Sequence, residues 1–128
     1  MSSELSILAL YGLLVALTVF VQVLAAVPQA GLAPLAGPRD DLPPLTGLAG
    51  RCKRSLDNSV VAMALFAPAI LILAARDAFT ATTLQAAQIF LTAQVVYLPL
   101  YWLGIAWVRT LVWLIGFLAT IYLLFAAF

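Results

Sequence analysis

Runs of uncharged, mostly apolar residues divide this chain, and charges mark the breaks between them. Leu5 to Val27 is an uncharged run of 23 residues, and a helix needs roughly 20 apolar residues to cross a bilayer. Ser59 to Ala75 is a second run of 17, ended by Arg76 and Asp77. Ala78 to Val108 is a third, of 31 residues, too long for one untilted crossing. Gly104 is the natural break in it. The pattern predicts membrane spans at about 5–27, 53–75, 82–103 and 105–128. The second helix is expected to begin in the aqueous interface near Gly50, and Pro68 is expected to kink it. The expected architecture is a single all-α domain over residues 1–128, a four-helix transmembrane bundle.

Composition sharpens this. Hydrophobic residues make up 66% of the 128 and charged residues 9%, with a mean hydropathy of +1.15. Soluble domains carry about 25% charged residues, which excludes that class. The acidic start, Met1-Ser2-Ser3-Glu4, and the long first run read as a retained anchor rather than a signal peptide. Pro28, Pro34, Pro38, Pro43 and Pro44 interrupt any helix and predict a connecting loop over about 28–52.

Orientation follows from the basic residues. Arg39, Arg51, Lys53, Arg54 and Arg109 fall on one side of the predicted spans and only Arg76 on the other. That asymmetry puts the 28–52 loop in the cytoplasm and both termini outside it. The net charge of +1 gives no reason to expect nucleic acid. With no histidine and one cysteine, neither a zinc site of the usual kind nor a Ser-His-Asp triad can be built.

The polar residues able to do chemistry gather at the cytoplasmic end. Arg51, Arg54 and Asn58 are spaced i, i+3, i+7 and share one helix face. Guanidinium forks suit carboxylates and phosphates, although lipid headgroups are an equally good partner for a juxtamembrane basic cluster. Gln94, Tyr97 and Tyr101 repeat that spacing. Their plain structural reading is an interhelical stripe, with Gln94 a buried bridging amide and Trp102 and Trp107 in an aromatic belt. Arg109 is the sharpest residue. It stands near the start of the last helix, where the dipole is already positive, so it is poorly placed for stability and well placed to hold an anion. Snorkelling to headgroups is its alternative. Thr18 and Gln22 read as interhelical hydrogen bonders, and Cys52, beside Lys53 and Arg54, as a passive interfacial thiol.

The stretch Gly50-Arg51-Cys52-Lys53-Arg54-Ser55-Leu56-Asp57-Asn58 resembles the Arg-x-x-Arg-x-x-x-Asn signature of the MAPEG superfamily, the membrane-associated proteins in eicosanoid and glutathione metabolism. Gly37 to Gly47 is similar to the loop of its small bacterial members. Val95-Val96-Tyr97-Leu98-Pro99-Leu100-Tyr101, followed by Gly104 and Arg109-Thr110, resembles its second motif. The resemblance implies a homotrimer, in a bacterial inner membrane, binding glutathione between subunits near the cytoplasmic face. It implies that Arg51, Arg54, Asn58, Gln94 and Tyr97 hold glutathione as co-substrate. Arg109, which would favour the thiolate, and Tyr101 would be catalytic. The expected activity is a glutathione-dependent transferase or peroxidase acting on a lipophilic substrate drawn from the lipid bilayer. The alternative is a non-catalytic lipid-binding or structural relative.

Two positions depart from the pattern, and the first span offers no basic residue, although some active members have one near its cytoplasmic end. Val61 stands where the family often has glutamate, and Gln94 where it has arginine. Replacing a guanidinium by an amide gives up a charge-assisted bond worth about 1.5–3 kcal/mol. If the two were a charged pair lost together, the substitute is neutral and self-consistent.

Overall fold

The structure, a computed structural model, describes residues 3–38 and 44–128. It is helical throughout, with no strand among the described residues. In order the helices are α1 (Glu4–Ala30), α2 (Leu32–Ala36), α3 (Gly47–Ala75), α4 (Ala81–Trp102) and α5 (Trp107–Ala126). Helix α1 packs mainly along α3, and α4 along α5. The proline-rich stretch is more helical than expected: residues 28–30 extend α1, α2 occupies 32–36, and α3 takes in 47–52. Pro28 is tolerated because it sits in the last turn of α1, which Gly31 closes by donating its N–H to the Val27 carbonyl at 2.8 Å. Gln29 then pins the far side of the loop, donating to the Thr46 carbonyl at 2.7 Å and accepting the Thr46 N–H at 3.0 Å. Arg39 and Pro43 lie outside the described residues.

Three helices, α1, α3 and α5, are long and apolar enough to cross a membrane. The expectation of four such spans is not met by α4. That helix is 22 residues long, but Thr82, Thr83, Gln85, Gln88, Thr92 and Gln94 dilute its apolar content. The chain is an integral membrane protein all the same. Leu13, Leu17, Phe20, Leu111 and Phe125 are all more than half exposed, an arrangement water does not tolerate over whole helix faces.

Between the helices the core is small and closely packed. Phe66 and Phe90 stack with ring centroids 4.0 Å apart, and Tyr11 meets Phe90 edge-on at 4.9 Å. Ala69, Ala86, Ala87, Gly116 and Ala119 let the backbones approach. That closeness is what holds helices together where lipid supplies no hydrophobic drive. Thr18 is buried but bonds its own helix, at the Leu14 carbonyl, 2.9 Å away, so it does not bridge to a neighbour.

Candidate functional site

Four chain segments meet at the end of the bundle that carries the basic residues: the end of α1, the start of α3, the end of α4 and the start of α5. Helix α4 stops there in a Schellman turn. Ile105 donates to the Leu100 carbonyl and Gly104 to that of Tyr101, both at 3.0 Å, with Gly104 at φ +77°. The Trp102 carbonyl is left over, and Arg51 Nε donates to it at 2.8 Å. Trp102 is tied down a second time, its indole Nε1 donating to Ser55 Oγ at 2.8 Å. Arg51 and Ser55 therefore fasten the turn that leads into Arg109.

Arg54 is exposed and folds back along its own helix: its Nη1 lies 3.2 Å from where a Cβ on Gly50 would sit. That same Cβ would lie 2.7 Å from the Leu45 carbonyl oxygen, so only glycine fits where the loop crosses α3. Lys53 pairs with Asp57 at 3.3 Å on the exposed face. Cys52 is buried.

A cleft of about 230 Å³ opens between α3, α4 and α5, lined by Asn58, Tyr97, Tyr101, Arg109, Thr110 and Trp113. Asn58 Nδ2 donates to the Tyr97 hydroxyl at 2.9 Å. That hydroxyl is the acceptor in this bond, so its own proton remains available to the cleft. Tyr97 and Tyr101 meet edge to face at 5.5 Å. The Arg109 guanidinium carbon lies 4.4 Å above the Tyr101 ring, a cation–π contact that holds its position without neutralising it. Among the described residues Lys53–Asp57 is the one ion pair, and Arg109 has no carboxylate partner.

The cleft thus gathers Asn58, Tyr97, Tyr101 and Arg109. It does not gather Arg51, Arg54 or Gln94 within one chain. Gln94 is buried and bridges helices: its Oε1 lies 3.4 Å from the Tyr11 hydroxyl, which also reaches the Ser59 carbonyl at 3.0 Å. Thr110 and Trp113 are cleft residues to which no role had been assigned. Trp113 lies one turn beyond Arg109 on α5, so the i+4 relation was the available signal. A larger groove of about 390 Å³ between α4 and α5 has Gln85, Ile89, Leu118 and Tyr122 on its walls. It carries no charged residue, so it lacks the means to hold an anion.

The fold and cleft define an integral membrane protein built of apolar helices around a cationic, tyrosine-bearing niche. The sequence model of the MAPEG family matches residues 5–128, and the chain belongs to that family. No curated protein and no solved structure matches it.

Proposed function

We propose that the protein is a membrane-embedded glutathione-dependent transferase or peroxidase acting on lipophilic electrophiles. The observation that supports this most is Arg109: a guanidinium without a carboxylate partner among the described residues, at a helix N-terminus, in a cleft with a free phenol proton. Family membership over nearly the whole chain points the same way.

In this reading Arg109 faces the glutathione sulfur and favours the thiolate, because a nearby positive charge lowers a thiol's pKa. Tyr97 donates its spare proton to that sulfur. Tyr101 keeps Arg109 in register. Asn58 and Arg54 serve the amide and carboxylate groups of glutathione, with arginines of a neighbouring subunit completing the site in a homotrimer. The thiol proton passes to water, and the thiolate then attacks an electrophile dissolved in the bilayer. Helix α4 makes a fourth crossing, with Thr83 and Gln94 turned toward the other helices and Thr82, Gln85, Gln88 and Thr92 on the exposed face of the single chain. The basic end faces the cytoplasm and both termini lie outside, in a bacterial inner membrane.

The test is calorimetric titration of glutathione into the purified protein in detergent, with thiolate absorbance followed on the same sample. Saturable binding with a thiolate signal at neutral pH is expected. No heat at millimolar glutathione would overturn the reading and favour a lipid-binding relative.

A further inference from the structure

Beside the arginine cleft lies a smaller cavity of about 90 Å³, bounded by α3, α4 and α5. The two cavities share Asn58 and Trp113. None of the residues lining the smaller one carries a formal charge. Val61 and Gln94, the two positions at which this chain departs from the family pattern, both lie on its wall.

These two residues give the chamber its character. Val61 is 60% exposed, so one rim of the chamber opens at the surface of the single chain. Gln94 is 3% exposed, on an inner wall. Its Oε1 faces Tyr11. Its Nε2 turns toward α5 and lies 3.6 Å from where a Cβ on Gly116 would sit. No hydrogen bond from this nitrogen occurs among the described residues, and the residue lines the cavity, so the N–H is available to a ligand there. The volume corresponds to about three waters, or to the polar end of one small molecule.

We infer that this chamber receives the carbonyl end of the second substrate, a lipophilic α,β-unsaturated ketone or ester, with Gln94 Nε2 donating to the carbonyl oxygen. The inference rests on the glutathione reading for the thiolate across the Asn58–Trp113 wall. The sulfur bonds to the β-carbon, the C=C π pair shifts toward oxygen, and the resulting enolate takes a proton from water at its α-carbon; nothing leaves. An amide dipole in an apolar site stabilises the developing oxyanion more than it would in water. A neutral chamber also selects against fatty acid carboxylates, which an arginine at position 94 would draw in.

The experiment uses the full-length protein in detergent. In Gln94→Leu, kcat/KM for a long-chain enone is expected to fall about tenfold further than kcat/KM for a long-chain iodoalkane, which has no oxygen to bind. Val61→Phe fills the chamber from its exposed rim without touching the Tyr11–Gln94 contact. It is expected to reduce enone turnover while calorimetric glutathione affinity holds. A third readout needs no glutathione. The infrared carbonyl stretch of a bound, isotope-labelled saturated ketone is expected to sit at lower frequency in the parent than in Gln94→Leu. Equal losses on both substrates, a fall in glutathione affinity in Gln94→Leu, or an unchanged carbonyl stretch would each overturn the inference. A normal stretch difference with no glutathione binding would sink the functional reading and leave the chamber standing.

Discussion

The two ends of the bundle each place a charge at a helix N-terminus, and they treat it in opposite ways. At one end Glu4 is 5% exposed and accepts a bond from Thr83 Oγ1 at 2.7 Å. It lies in the first turn of α1 and against the first turn of α4, where Thr80 and Thr83 form a capping box. Two helix dipoles and a hydroxyl therefore favour a negative charge there. At the other end Arg109 stands in the first turn of α5, against its own dipole, in an open cleft. The acid is saturated by its surroundings. Among the described residues the arginine has only the Tyr101 ring, and in the proposed reading its counter-charge comes from a ligand anion. That difference, more than burial alone, is the ground for reading Glu4 as a structural charge and proposing a functional one at Arg109.

Removing the two charges should therefore do opposite things. Arg109→Ala is expected to lower glutathione-dependent turnover about 100-fold or more, the loss of a group worth near 2.7 kcal/mol to the reacting anion. Its ligand-free thermal midpoint should hold or rise, since an unfavourable dipole contact worth about 0.3–1 kcal/mol goes with it. Parent-like turnover would remove Arg109 from the chemistry. Glu4→Ala is expected to lose about 0.5–1.5 kcal/mol of stability, because the buried Thr83 hydroxyl loses its bond across to α1. Glutathione affinity per folded molecule should not move. Thermal unfolding in detergent, with calorimetry on the folded fraction, reads both.

A third variant sharpens the comparison at the basic end itself. Arg51 was placed with the glutathione ligands by resemblance, yet its Nε is spent on the Trp102 carbonyl. Arg51→Ala is expected to cost about 1 kcal/mol of stability through the lost cap. Arg51→Lys should recover much of that. If Arg51 instead holds a carboxylate, glutathione affinity falls with stability unchanged, and calorimetry separates the two.

How much of this was legible follows from what helical spacing encodes. Asn58, Tyr97 and Tyr101 reach one cleft because spacing near 3.6 residues fixes a face, and a face is a local property. Arg109 stood out because a charge at the start of an apolar run is rare. Arg51 did not reveal its partner, since the leftover carbonyl exists only once Gly104 turns the chain back. Gln94 sat in the tyrosine stripe by spacing but turned toward Tyr11, a residue 83 positions away. The charge-free run 78–108 was counted as span length, yet its glutamines and threonines make α4 less apolar than the other three long helices. Freedom from charge and apolarity are different properties. Glu4 entered the reading only as part of an acidic start, and its burial depends on α4, which lies about 80 positions away and packs over it.

The smallest effect tests the finest claim, that Tyr97 points a proton at the sulfur. The hydroxyl accepts from Asn58 Nδ2 at 2.9 Å, so it can donate elsewhere. Tyr97→Phe leaves the ring contact with Tyr101 in place and removes only that oxygen. Stability should fall by about 0.5–1.5 kcal/mol, the worth of one ordinary hydrogen bond. The bound thiolate loses a donor, so its formation is disfavoured. Its absorbance profile should therefore move to higher pH, by about one unit for each 1.4 kcal/mol lost. Arg109→Ala should shift the profile in the same direction and further, since it removes a full charge. An unchanged profile in Tyr97→Phe would mean that the phenol faces solvent, and that Arg109 alone sets the ionisation of the thiol.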